Sequence, residues 1–405
     1  MISVEQALES ILAAFSPLPG EQVALAQALG RVLAEPVVAR RTQPPADMSA
    51  MDGYAVRSAD TARVPATLEV VGEAPAGGSF AGTVGAGQAV RIFTGAPVPD
   101  GADAIVIQED TEADGRRVTV KERAEAGRHV RRAGLDFRAG DIGVAAGEVL
   151  GARDLALAAA MNRPWLTVRR KPRVAVLATG DEVVMPGEDI GPNQIVSSNS
   201  LALAAVIEAS GGEAVMLGIA PDDAEALAAL AAGARGHDLL VTTGGVSVGD
   251  RDLVRRVLGE RGLEVEFWRI AMRPGKPLLF GSLAGTPVLG LPGNPVSALV
   301  CALVFLRPAL AVMLGIDGAG AVAETTARLA SPLAANDRRQ DYLRARFARA
   351  ADGVLEVTPF PVQDSSMLSV LAQADGLVVR PPNAPPAAAG ATVPVIPFPP
   401  GLARF

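Results

Sequence analysis

The stretch DLLVTTGGVSVGDRD, residues 238–252, decides how this chain is read. An apolar run that reads as a strand ends at consecutive Gly244 and Gly245, and a helical pattern begins near residue 252. Paired glycines at such a junction let backbone N–H groups turn toward an anion, and Thr242, Thr243 and Ser247 add hydroxyl donors. The turn is not a P-loop, because no Gly-Lys-Ser/Thr closes it, and it lacks the G-x-G-x-x-G spacing of dinucleotide sites. On turn chemistry alone the glycine pair reads equally well as a tight connection, with Asp250 or Asp252 capping the next helix. Carboxylates directly after a phosphate-type turn make physical sense when a divalent cation stands between them and the anion, and oxygen ligands suit Mg²⁺.

Outward from this turn, strands and helices alternate from residue 173. The order is RVAVLATG, a helix over about 199–210, EAVMLGIA, a helix over 222–233, the strand already quoted, a helix over about 252–261, and LEVEFWRI. This pattern predicts a doubly wound α/β domain, whose ligands bind at the C-terminal ends of the strands. KPLLFGS and TPVLGLP continue it as strands, and a buried helix follows over 295–314. GLPGNPVSAL (290–299) supplies a second glycine-containing turn, in which Asn294 caps a helix, Pro295 takes its first position, and the N–H groups of Val296 and Ser297 face outward. A plain strand-to-helix elbow is the competing reading. FWRIAMRPGKP sets Arg269, Arg273 and Lys276 beside a proline-glycine break, a loop-borne cationic cluster suited to phosphate or another oxyanion.

Acids recur at turns: Asp52, Asp136, Asp181, Glu182, Asp222 and Asp223 besides the pair at 250 and 252. Most residues of this kind cap helices or close turns, and spacing alone does not choose among them.

The totals narrow the function classes. A chain of 405 residues is too long for one core, and its formal net charge of -7 argues against a nucleic-acid backbone as partner. A single cysteine, Cys301, rules out an internal disulfide framework and reads as packing in a buried helix. Two distant histidines, His129 and His237, leave no zinc cluster. The chain fits a reducing cytoplasm. MISVEQALESILAAF lacks a basic n-region and does not read as a signal peptide, while Arg307 and Pro308 interrupt the apolar run at 296–314, which argues against a membrane span.

On the flanks, Ser3 and Gln6 form a capping box for a helix with Val4, Ala7, Leu8, Ile11, Leu12 and Phe15 at helical spacing. A second helix is expected over 23–34, then an extended, proline-broken stretch. Short apolar runs between about 46 and 140 predict a small β domain, 154–161 a short helix, RRKPRV a solvated hinge, and the runs after 320 a C-terminal β domain.

PPADMSAMDGYAV, IFTGAPVPDGADAIV, RRAGLDF, ATGDE, TTGGVSVGD, AMRPGKP and GLPGNPVS, in this order between residues 44 and 297, closely resemble the MoeA family of molybdopterin molybdenumtransferases, which includes the gephyrin E domain. The resemblance spans nearly the whole chain. It implies an α/β multidomain protein: a discontinuous N-terminal domain (1–45 and 141–170), an inserted β domain (46–140), a doubly wound molybdopterin-binding α/β domain (171–320) and a C-terminal β-barrel-like domain (321–405). It also implies a homodimer that takes adenylylated molybdopterin and molybdate, releases AMP and places molybdenum on the dithiolene sulfurs with a divalent cation assisting, for which Mg²⁺ is expected. Molybdopterin adenylyltransferase and other cofactor-biosynthesis proteins would be its partners.

Carried over residue by residue, the resemblance points to Asp52, Thr94, Asp136, Glu182, Asp222 and Asp252 as catalytic, with Glu182 and Asp252 on the metal. Thr243, Gly244, Gly245, Ser247, Arg269, Arg273, Lys276, Pro292, Asn294 and Pro295 would hold substrate. Arg269 and Arg273 stand where many members have lysines, and an arginine there grips an oxyanion without serving as a base. RRQDYLRARF and QDSSMLSVL resemble the family's arginine and serine motifs through Arg339, Arg344, Ser365 and Ser369. Two competing functions share parts of this pattern, a molybdopterin adenylyltransferase on the same α/β module and a non-catalytic scaffold.

Overall fold

The structure is a computed structural model and describes residues 1–245, 253–322 and 324–399. Ser247, Asp250 and Asp252 lie outside the described residues. The chain forms two compact units, one of Met1–Glu21 with Val168–Phe405 and one of Gln22–Thr167.

Helix α1 (Val4–Ala13) opens on the expected capping box: the Gln6 N–H donates to Ser3 Oγ and the Ser3 N–H to Gln6 Oε1, both at 3.0 Å. Loss of such a cap costs about 1 kcal/mol. Val4, Ala7 and Ile11 on its buried face join the core of the α/β region.

In the unit Gln22–Thr167, the helix expected over 23–34 does not form. Leu25–Gln27 is a single 3₁₀ turn and Leu29 is 63% exposed. The backbone N–H groups of this stretch bond to distant carbonyls: Leu25 to Pro164, Gly30 to Leu150, Leu33 to Glu148 and Ala34 to Thr167. Long-range partners thus take the donors that a helix would need. The remainder of the unit is dominated by a six-stranded sheet of β1 (Gly53–Val56), β2 (Ala66–Ala74), β3 (Gln88–Ile92), β4 (Ala104–Ile107), β5 (Thr111–Asp114) and β6 (Arg117–Val120), in the order β4-β1-β3-β2-β6-β5. β1 is buried on both faces, because Tyr54 and Val56 enter one core cluster while Ala55 enters another. Helix α2 (Ala152–Ala160) closes the unit, with the Asp154 carboxylate accepting from the Gly151 N–H at 2.8 Å.

The α/β region follows the predicted alternation: β7 (Arg173–Thr179), α3 (Asn199–Ala209), β8 (Glu213–Ala220), α4 (Ala224–Ala232), β9 (Leu239–Thr243), α5 (Leu253–Glu260), β10 (Leu263–Phe267), a short β11 (Met272–Arg273), β12 (Leu279–Leu283) and β13 (Thr286–Leu291). The sheet order is β8-β7-β9-β13-β12-β10, with β8, β7, β9 and β13 parallel. Along β7 the side chains alternate between two cores. Val174 and Val176 meet α1 and α3, whereas Ala175 and Leu177 meet α4 and α5. Burial on both faces explains why this strand reads as an unbroken apolar run. After β7 the chain crosses to β8 on one side, and after β8 it returns to β9 on the other. The switch point lies between β7 and β9.

The run expected to be a hinge is pinned instead. Arg170 makes a bidentate pair with Asp238 at 2.8 and 2.9 Å, and the Arg173 N–H donates to the same carboxylate at 2.7 Å. Burial raises the Asp238 pKa, but the Arg170 guanidinium and the Arg173 N–H outweigh it and leave the group below its ordinary value.

Pro295–Met313 is long and apolar enough to cross a membrane, and 83% of its most apolar window is buried inside the protein. It consists of α6 (Pro295–Cys301), a π segment at Ala302–Leu306, and α7 (Arg307–Met313). Pro308 has no N–H and its ring crowds the carbonyl four residues back, which the wider π turn accommodates.

The C-terminal strands β14 (Thr325–Leu329), β15 (Gln340–Arg349), β16 (Leu355–Pro359), β17 (Gly376–Arg380) and β18 (Thr392–Pro397), with helix α8 (Leu368–Leu371), complete the chain. They are ordered β15-β16-β14-β18-β17, and pairing of β15 with β17 closes the ring into a barrel. β11 from the α/β segment adds to the outside of β15 in parallel, Met272 opposite Gln340 and Arg273 opposite Asp341.

Candidate functional site

A cleft of about 660 Å³ opens at the C-terminal ends of β7, β9 and β13. A smaller hollow of about 170 Å³, lined by Leu299, Leu303, Leu371 and Phe398, is almost wholly apolar and offers nothing to hold an anion. The larger cleft is therefore the candidate site. Thr243, Gly244 and Gly245 form one wall, Pro292, Gly293, Asn294 and Pro295 a second, and Glu182 and Val183 a third.

The glycine turn has the backbone that the sequence suggested, with φ of +87° at Gly244 and +63° at Gly245. Space excludes side chains as well. A Cβ on Gly244 would stand 2.6 Å from the Thr179 carbonyl oxygen, and one on Gly245 would stand 2.6 Å from Val254 Cγ2. Thr179 lines the cleft beneath this turn; it is 3% exposed, and its hydroxyl has no hydrogen-bond partner among the described residues.

The elbow after β13 differs from expectation. Asn294 stands at the N-cap of α6, yet its side chain makes no capping bond and Nδ2 donates instead to Ser365 Oγ at 2.9 Å. The Val296 N–H, expected to face outward, donates to the Ser365 carbonyl at 3.1 Å. A loop of the barrel domain thus satisfies donors that were assigned to an anion. Ser365 serves as this contact, while Ser366 and Leu368 line the cleft. Ser369 is exposed outside the lining, and its carbonyl accepts from Gln373 Nε2.

The basic cluster does not converge as predicted. Arg273 is held by Asp341, which is 4% exposed, and its guanidinium also lies 3.5 Å from Asp337. It lines a separate pocket of the barrel region and not the cleft. Arg269 stacks on Trp268, its Cζ 3.7 Å from the ring centroid, and Arg255 stacks on the same indole at 4.4 Å. Arg339 pairs with Asp337 at 2.7 Å; its hydrogen bonds, side chain first, hold the Asp337 carboxyl down to about 2. Arg344 is 1% exposed and bonds Gln363 and the Met367 carbonyl. Lys276 is exposed and directly precedes Pro277, which lines the cleft.

Among the acids, Glu182 lines the cleft, its carboxylate folded back over Gly180. Asp222 does not line it; its N–H donates to Asp181 Oδ1 at 2.8 Å. Among the described residues no three His, Cys, Asp or Glu side chains converge on one point. Magnesium commonly binds through one or two carboxylates plus substrate phosphate oxygens, so Glu182 in a phosphate-type cleft meets that lesser requirement. Burial pushes the Cys301 thiol well above its ordinary range, which removes it as a nucleophile. His129 Nε2 accepts from Arg128, and both His237 nitrogens are buried without partners among the described residues; neither residue lines the cleft.

In the other unit, Asp52 and Thr94 meet as a pair. Thr94 donates to Asp52 Oδ1 through its N–H at 2.7 Å and its hydroxyl at 2.8 Å. These two bonds, the backbone one foremost, hold the Asp52 pKa below its ordinary value, so the group stays ionised at neutral pH. Asp136 is exposed in that unit, with its N–H on the Gln43 carbonyl at 3.0 Å.

Several residues of the cleft were not among the sequence candidates, Thr179, Ser366 and Asn199 among them. Asn199, at the start of α3, lines the cleft and bonds both the Gly244 turn and the β13 elbow. Its only signal was a carboxamide at a helix start beside the switch point, which capping explains equally well.

Family models match along the chain: the MoeA N-terminal region (domain I and II) over residues 2–162, a probable molybdopterin binding domain over 175–312, and the MoeA C-terminal region (domain IV) over 326–398. A Nostoc protein named molybdopterin molybdenumtransferase is 38% identical over 370 residues, covering 89% of this chain and 85% of that one. Molybdopterin molybdenumtransferase 2 of Mycobacterium tuberculosis is 40% identical over 378 residues, covering 91% and 92%. The crystal structure of a molybdopterin biosynthesis MoeA protein from Pyrococcus horikoshii superposes with a TM-score of 0.87 at 34% identity, covering 98% and 99%.

Proposed function

Because this chain belongs to the MoeA family, we propose that it is a molybdopterin molybdenumtransferase of molybdenum cofactor biosynthesis and that the cleft beside β7, β9 and β13 is where it works. The observation that carries the assignment is the meeting of the Gly244–Gly245 turn, the Pro292–Pro295 elbow and Glu182 around one 660 Å³ space at the switch point. The substrate is adenylylated molybdopterin, with molybdate as the metal donor and AMP as the leaving product.

The glycine turn, with N–H groups unobstructed by side chains, takes the pterin phosphate, and the elbow orients it from the opposite wall. The dithiolene sulfurs come with the substrate, which suits a chain whose one thiol is buried. Lys276 is assigned to the incoming oxyanion, since Arg269 and Arg273 are engaged elsewhere. Glu182 would hold Mg²⁺ against the phosphoanhydride, and the ion would offset charge that builds on the bridging oxygens. Asp52, fixed and ionised by Thr94, belongs to the same reaction on the family resemblance, as do Asp136, Asp222 and Asp252. A homodimer also rests on that resemblance, and a cytoplasmic setting on the single cysteine.

The test is a Glu182→Ala variant assayed for molybdate-dependent AMP release with Mg²⁺ titrated. The expected result is a loss of at least about a hundredfold in rate with molybdopterin binding retained. Full turnover in that variant refutes the role of Glu182. Wild-type protein that releases no AMP from adenylylated molybdopterin refutes the reaction.

A further inference from the structure

Asn199 is the first residue of α3, and its side chain spans the two turns that face the cleft. Its Nδ2 donates to Thr243 Oγ1 at 2.9 Å and to the Gly293 carbonyl at 2.8 Å. Thr243 ends β9 at the glycine turn, and Gly293 sits in the elbow after β13. The Thr243 hydroxyl in turn donates to the Pro292 carbonyl at 3.3 Å, which closes the triangle. The Gly293 carbonyl can only accept, so the NH₂ end of the carboxamide must face it. Neighbouring hydroxyls do not substitute: Ser197 and Ser200 are buried and bonded to each other at 2.8 Å.

The two turns stand on adjacent parallel strands, Thr243 opposite Leu291, but backbone pairing stops there. Beyond the sheet edge, the side-chain bonds that join one turn to the other among the described residues are those from Asn199 and Thr243. We propose that Asn199 is a positioning residue that sets the separation of the two anion-facing turns, and so the affinity for the pterin phosphate. The inference rests on the reading of this cleft as the molybdopterin site.

Two variants separate this role from a purely structural one. Asn199→Ala removes both donors, and two ordinary hydrogen bonds correspond to about a tenfold loss. Asn199→Asp places a carboxylate, which only accepts, against the Gly293 carbonyl and adds negative charge beside the substrate's phosphate. A helix start favours an acid in its first turn, so a residue that merely began α3 would tolerate Asp better than Ala.

The experiment uses the full-length chain in three forms, wild type, Asn199→Ala and Asn199→Asp, and measures molybdopterin titration, KM, kcat and melting temperature. The expected order of affinity is wild type, then Ala about tenfold weaker, then Asp weaker still. KM should follow this order while kcat stays within about twofold, and the Asp variant should melt no lower than the Ala variant. Wild-type affinity in the Asp variant, or a fall in kcat at unchanged KM, overturns the proposal. If wild-type protein itself fails to bind molybdopterin, the assignment of the cleft falls first, and this inference with it.

Discussion

Replacing Gly275 with alanine tests whether the loop that carries Lys276 is shaped by the core beneath it. Gly275 has φ of +112°, and a Cβ there would lie 2.5 Å from Cys301 Sγ and 3.3 Å from Met272 Sδ. Two costs follow. A non-glycine residue in that backbone region costs about 1–3 kcal/mol, and forcing a methyl against a fully buried sulfur costs about 1–3 kcal/mol more. Gly275→Ala should therefore lose about 2–6 kcal/mol. Cys301→Ala alone should cost about 1 kcal/mol, as deletion of one buried heavy atom commonly does. In the double variant the steric part disappears and the backbone part remains, so the cycle should show a favourable coupling of about 1–3 kcal/mol. Urea unfolding followed by Trp268 fluorescence, in a Trp165→Phe background, reads the α/β unit alone, since the chain has only these two tryptophans. Additivity within about 0.5 kcal/mol refutes the steric argument, and a Gly275→Ala loss below that figure refutes both parts.

Two further outcomes follow from the pairs described above. Thr94→Val removes one of two donors to Asp52, so its pKa should rise toward the ordinary carboxylate value but stay below it, because the residue-94 N–H remains. A depressed folded-state pKa contributes stability above the unfolded value and loses it as pH falls through the folded value. The variant should therefore lose its share at a higher pH, and carboxyl-carbon NMR titration checks this, an unmoved Asp52 midpoint being the contrary result. Arg273→Ala should lower the melting temperature by about 2 °C or more while leaving molybdate KM within about twofold, whereas Lys276→Ala should raise molybdate KM about tenfold. Equal effects of the two substitutions on KM would return Arg273 to the oxyanion.

The α/β region was legible because its signals are local. Apolar runs of strand length, glycine pairs and capped helices lie within a few residues of one another, and both cleft turns stand where the alternation placed them. What escaped notice depends on partners far along the chain. Arg273 reads as a loop cation until Asp341, 68 residues on, is seen to hold it. The Val296 N–H reads as an open donor until Ser365 arrives from the barrel, and Asn294 is drawn to the same serine across 71 residues. Residues 23–34 show a helical period, yet carbonyls more than a hundred residues away claim their N–H groups. Asn199 was hidden for a different reason: capping is so common a use of asparagine at a helix start that nothing local marks a second use.

The strand Met272–Arg273 is borrowed by the barrel, although the chain around it builds the α/β sheet. The three residues after it, Pro274, Gly275 and Lys276, therefore run from a strand that pairs with the barrel to β12, which pairs within the α/β sheet. A substitution that displaces β15 thus reaches the backbone on the N-terminal side of Lys276 through strand pairing alone, with no side-chain contact needed in between.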